Sequence, residues 1–144
     1  MKVFGLNDTV EQPVLITYAS LIHFLSALYF ACVIYPLFDK KNSFVKGFIL
    51  YNILHLLYEL KDYILSYNKN VSDYLERRID KSVIKWSKEN SIENSVGDTI
   101  VTIIGYIIGY YLLLKFGNNI NITTGLTFLL ILAVVIFFVR LKLD

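Results

Sequence analysis

Residues 14–38 read VLITYASLIHFLSALYFACVIYPLF, an unbroken stretch without Asp, Glu, Lys or Arg. A helix needs roughly 20 apolar residues to cross about 30 Å of hydrocarbon, so this stretch is long enough to span a bilayer. The rest of the chain agrees. Of its 144 residues 56% are hydrophobic and 18% charged, mean hydropathy is +0.54, and the charges gather between apolar runs. That pattern excludes a disordered chain and a nucleic-acid-binding surface, and the net charge of +2 supplies no basic footprint. Cys32 is the single cysteine, so no internal disulfide can form.

Three further stretches have spanning length. Residues 44–67 carry Lys46, Asn52, His55, Glu59, Lys61 and Asp62. Such a helix is viable in a bundle when its polar face turns toward protein or a water-filled cavity. Residues 96–116 and 122–139 are more uniformly apolar and are joined by the short turn GNNIN. Pro36, followed by the polar DKKNS turn, marks the end of the first span. Residues 1–13 lack a basic n-region and a small-residue cleavage site, so they are expected to stay in the mature protein. The expected fold is an all-α integral membrane four-helix bundle forming a single domain.

Four spans place both termini and residues 68–95 on one face. Lys2, Lys69, Arg77, Arg78, Lys81, Lys85, Lys88, Arg140 and Lys142 lie on that face, and Lys40, Lys41, Lys46 and Lys115 lie opposite. The excess predicts cytoplasmic N- and C-termini. In the connection, Val71, Leu75, Ile79, Val83 and Trp86 recur at helical spacing between charged residues. The spacing predicts an amphipathic helix over 71–88 between the second and third spans. Either it lies in the interface, with Trp86 as anchor and Arg77, Lys81 and Lys85 near anionic headgroups, or it packs across the mouth of the bundle.

The second span carries the chemistry. Asn52, His55, Glu59 and Asp62 follow at steps of three, four and three, which stacks them on one helix face over about 15 Å. A charge at membrane depth costs roughly 2.5–3.5 kcal/mol on insertion scales, so these groups require a cavity or mutual pairing. In the third span Asp98, Thr102, Gly105 and Gly109 repeat at helical steps. The two glycines permit a close helix crossing, expected to bring Asp98 and Thr102 against Glu59 and Asp62. Asp98 has a second reading as helix N-cap. His23, with Ser20 and Ser26 at steps of three, offers itself to the same cluster, but reads more simply as a singly hydrogen-bonded buried histidine. The carboxylates and His55 have the chemistry of an acid, base or proton carrier. The set lacks a recognised ligand spacing, so no metal and no cofactor are expected. No GxSxG elbow, phosphate loop or nucleophile is apparent, and the reading leans away from an enzyme.

Glu59 followed three residues later by Asp62, and then a span opening with Asp98, Thr102, Gly105 and Gly109, resembles the VanZ-like family of small polytopic membrane proteins. Asp62 stands where that family commonly has glutamine, and Thr102 where it has asparagine. The resemblance covers residues 52–110 and implies a membrane or cell-envelope context. Taken together, these readings lead to a membrane-embedded module whose acidic pocket, formed by Glu59, Asp62, Asp98, His55, Asn52 and Thr102, engages a lipid headgroup, cation or proton. The competing reading is a structural or assembly protein of a cellular or viral membrane, its polar cluster serving only helix packing. Membrane lipids are the expected partners, and Tyr106, Tyr110 and Tyr111 suit either an aromatic belt or a homo-oligomer interface.

Overall fold

A computed structural model of the chain describes residues 2–5, 8–39, 41, 43–78 and 90–141. It is mostly helical. A first rod, Tyr18–Phe38, consists of α1 (Tyr18–Tyr29), a π-helical turn (Phe30–Ile34) and α2 (Tyr35–Phe38). There follow α3 (Phe44–Tyr67), α4 (Lys69–Glu76), α5 (Ile92–Phe116) and α6 (Ile120–Leu141). Tyr18–Phe38, Ile92–Phe116 and Ile120–Val139 are long and apolar enough to cross a membrane. At 24 residues α3 has the length, but Glu59, Lys61 and Asp62 crowd its second half and set it apart from those three.

The first rod begins later than the hydropathy implies. Val14–Ile16 is a β-strand paired in parallel with Lys2–Phe4, in register Lys2↔Val14 and Phe4↔Ile16. The chain is therefore not wholly α. Pro13 and β-branched Val14 and Ile16 suit extended backbone, and Gly5 lets the strands close, since a Cβ there would meet both Val14 methyl groups at 2.9 Å. Near the other end of the rod, Pro36 has no N–H to offer the Cys32 carbonyl. The π turn lies beside this missing bond, with the Tyr35 N–H reaching the Phe30 carbonyl.

α5 starts earlier than expected, at Ile92. Ser91 caps it, its Oγ accepting from the Asn94 N–H at 3.1 Å. Asp98 is consequently in the helix interior and is not the N-cap. Of the amphipathic helix expected over 71–88, residues 71–76 lie in α4, which is capped by Asn68 Oδ1 accepting from the Val71 N–H. Arg77 follows as an exposed turn residue. Lys81, Lys85 and Trp86 lie outside the described residues.

The core lies where α1 meets α5. Ala27, Ala31 and Tyr106 are fully buried, with Phe30, Phe44, Phe48, Tyr51 and Tyr110 packed around them. The Phe44 ring lies edge-on to Tyr106 at 5.6 Å and to Tyr110 at 5.0 Å, a geometry aromatic quadrupoles favour. Gly105 and Gly109 do make a close crossing, but their partner is α1: a Cβ would strike the backbone of Phe24 at the first and of Leu28 at the second. The missing side chains of the two glycines allow the approach, and the small Ala27 and Ala31 of the first rod leave room for Tyr106 of α5 beside it.

Candidate functional site

α1, α3 and α5 each bring polar side chains to one buried point near the starts of α1 and α5. Counting along the helices, His23 lies about 8 Å and Asp98 about 9 Å from those starts, at 1.5 Å per residue. α3 runs the opposite way, and its Glu59 and His55, about 12 and 18 Å before its end at the same rise, stand beside them. His23 Nε2 stands 3.9 Å from Glu59 Oε1 and 3.6 Å from Asp98 Oδ2. His55 Nε2 stands 3.8 Å from the same Glu59 oxygen. The imidazole rings meet edge-on at 5.1 Å between centroids. The side chains of Asp98, His55 and Glu59 are 3%, 3% and 8% exposed, and that of His23 is 18% exposed.

Neighbouring groups hold this cluster in place. Ser20 Oγ accepts the Thr17 N–H at 2.9 Å and donates a short hydrogen bond to Asp98 Oδ1, tying α1 to α5. Thr99 Oγ1 donates to the Ser95 carbonyl at 2.8 Å, which leaves its lone pairs facing His55 Nε2 at 3.2 Å. Asn90 Nδ2 donates to Ser95 Oγ at 3.1 Å and, at 3.5 Å, to Glu59 Oε2. Glu59 Oε1, by contrast, accepts no hydrogen bond among the described residues. At 3.8–3.9 Å the imidazoles face it electrostatically, beyond hydrogen-bonding reach.

Two clefts flank the cluster. One, of about 310 Å³, is lined by His23, His55, Ser26, Tyr51 and Tyr58, with Phe137 of α6. The other, of about 210 Å³, runs past Glu59, Tyr63, Tyr67, Asn90, Ser91 and Ser95. Ser26 Oγ and Tyr51 Oη are hydrogen-bonded at 2.7 Å in the wall of the first.

Of the six residues expected in the pocket, His55, Glu59 and Asp98 come together. Asp62 is buried one turn away, and its Oδ1 pairs with Lys61 Nζ at 2.6 Å. That lysine also lies over the Tyr58 ring at 3.8 Å. Asn52 Nδ2 donates to the Phe48 carbonyl of its own helix at 2.8 Å. Thr102 is fully buried, and its Oγ1 has no hydrogen-bond partner among the described residues.

From the sequence His23 read mainly as a singly hydrogen-bonded buried histidine, whereas it stands at the centre of the group, and Ser20 was not foreseen as the anchor of Asp98. A signal existed, since Ser20, Ala27 and Ala31 are small residues at helical spacing on the face that packs most closely, and His23 follows Ser20 by one turn. Asp8 was missed as well. Its Oδ1 accepts from the Val14 N–H at 2.7 Å and Ser91 Oγ at 2.8 Å, and its Oδ2 from the Ser91 N–H at 2.6 Å. It thereby pins the strand pair to the start of α5, above the cluster.

No family model, curated protein or solved structure matches the chain.

Proposed function

We propose that this chain is a four-span membrane protein whose buried histidine–carboxylate cluster, in the cytoplasmic half of the bilayer, takes up a cation or proton. The observation that carries the reading is Glu59 Oε1: buried, without a hydrogen-bond donor among the described residues, and faced by two imidazoles from different helices. A carboxylate oxygen left so at membrane depth is costly unless a positive charge or a proton meets it. A lipid headgroup is the less suitable occupant, because the cluster is buried and its clefts are small.

Treating α3 as the fourth span makes both termini face one side, and the distribution of Lys and Arg puts that side in the cytoplasm. The VanZ-like resemblance rests on Glu59, Asp98, Gly105 and Gly109, and two of these, Glu59 and Asp98, share the cluster. Membrane lipids remain the proposed surroundings.

The test compares the thermal stability of purified wild type and Glu59→Gln in detergent from pH 5 to 8, with and without added cations. A ligand that binds only the folded state stabilises it. A response to pH or cation in wild type that Glu59→Gln loses supports the site. Equal responses, with Glu59→Gln uniformly less stable, favour the competing reading of a polar cluster that only fastens helices, for which the Ser20–Asp98 bond between α1 and α5 speaks.

A further inference from the structure

We infer that His23, His55 and Glu59 form a binding site for one divalent first-row transition-metal ion, zinc or ferrous iron, with Asp98 beside it. The inference rests on the reading above and names the cation. One ligand atom from each of the three residues falls within 4.8 Å of the others. The nearest pairs stand at 3.8 and 3.9 Å. Ligands at about 2.0–2.2 Å from a tetrahedral ion stand about 3.4 Å apart, so each imidazole needs to close on Glu59 by about 0.5 Å and the third pair by up to about 1.4 Å, within reach of side-chain rotation.

Two imidazoles and a carboxylate suit zinc or ferrous iron and disfavour magnesium and calcium, which take oxygen ligands. Helix spacing within α3 does not announce the site because its ligands come from two helices. His55 and Glu59 are one turn apart on α3, while His23 comes from α1. Asp98 Oδ2, 3.6 Å from His23 Nε2, adds a second negative charge next to the ion, and Ser20 holds it there. Loading exchanges the contact of His55 Nε2 with Thr99 for a bond to the metal. The cleft lined by His23 and His55 is the entry path. Because the ligands must be deprotonated, uptake releases protons and weakens on acidification.

The experiment titrates the purified full chain in detergent with Zn²⁺, with Co²⁺ as a visible probe, with Fe²⁺ under anaerobic conditions, and with Mg²⁺ and Ca²⁺ for comparison. Expected are one equivalent of Zn²⁺ or Fe²⁺ bound, a cobalt spectrum of mixed nitrogen and oxygen ligation, and no comparable binding of Mg²⁺ or Ca²⁺. Outer partners of a metal site are worth about 10–100-fold in affinity, so Asp98→Asn should weaken binding by that much. His23→Ala, His55→Ala and Glu59→Gln should each exceed about 100-fold. Asp39→Asn, at the opposite end of the first rod, should leave affinity unchanged.

Should a ligand variant fail to fold, X-ray absorption of the zinc-loaded wild type still decides: two imidazoles support the site, and one or none overturns it. Absence of binding by wild type, or wild-type affinity in folded ligand variants, also overturns it. If no metal binds while a pH response dependent on Glu59 persists, the metal inference falls and the proton reading stands. If both are absent, both fall.

Discussion

Replacing Gly109 with alanine tests the crossing on which the site depends. A Cβ there would lie 2.8 Å from Leu28 Cα and 2.9 Å from its carbonyl carbon, and closer still to the carbonyl oxygen. Carbon atoms in contact sit about 3.5–4.0 Å apart, and backbone cannot rotate aside, so α1 and α5 must part by about 1 Å. Overpacking of this kind costs about 1–3 kcal/mol. The better helix propensity of alanine offsets up to about 1 kcal/mol, leaving a net loss of up to about 2 kcal/mol, and a deficit of about 1–3 kcal/mol against an alanine placed where there is room. Gly105→Ala meets the Phe24 backbone in the same way. A single separation relieves both clashes, so the double variant should lose less than the two single losses combined. The same parting draws Asp98 away from Ser20 and His23. Reversible denaturation in micelles followed by far-ultraviolet circular dichroism measures the loss. Gly125→Ala serves as comparison, because nothing lies within 4 Å of a Cβ at that position. A Gly109→Ala protein as stable as Gly125→Ala would refute the close-crossing argument.

Three other expectations concern the ends of the helices and of the chain. Asp8→Ala removes the acceptor of three hydrogen bonds; bonds to a charged group contribute about 1.5–3 kcal/mol each at most, and protease should cut the first 13 residues faster while the α1–α5 contact stays cooperative. Asp39 sits just beyond the first rod, where its hydrogen bond from Tyr35 Oη, at 2.6 Å, is the main cause that holds its carboxyl below the ordinary 3.8. With the folded value below the unfolded one, the stabilisation is present above 3.8 and is lost as pH falls through the folded value; Tyr35→Phe should move the Asp39 titration, followed by carboxyl NMR, back toward 3.8. Single cysteines placed at the two termini of a Cys32→Ser protein should be labelled from the same side of sealed vesicles, and labelling from opposite sides would exclude the four-span arrangement.

Much of the fold was legible because hydropathy reports on one helix at a time. The apolar runs, the turn at GNNIN and the acidic face of α3 all follow from local pattern. The boundary errors have local causes too. Val14–Ile16 is apolar enough to read as the start of a span, but its β-branched residues pair with Lys2–Phe4 instead. Asp98 can be read as a cap only while the polar residues before it are taken for a loop; Ser91 caps α5 nearly two turns earlier, so Asp98 falls inside the helix.

By itself the sequence determined that the chain is helical and apolar enough for a membrane, and that Gly105 and Gly109 share a face with Asp98 and Thr102. It likewise placed His55, Glu59 and Asp62 along one side of a helix. Only the tertiary structure decided what those faces meet. The glycines admit α1, and with it come His23 to stand beside Glu59 and Ser20 to hold Asp98. Asp62 and Asn52 find partners within their own helix and drop out. The physical reason is that helical periodicity specifies which residues share a face, whereas the helix opposite is chosen by shape and by polar groups that must be satisfied across the packed interface.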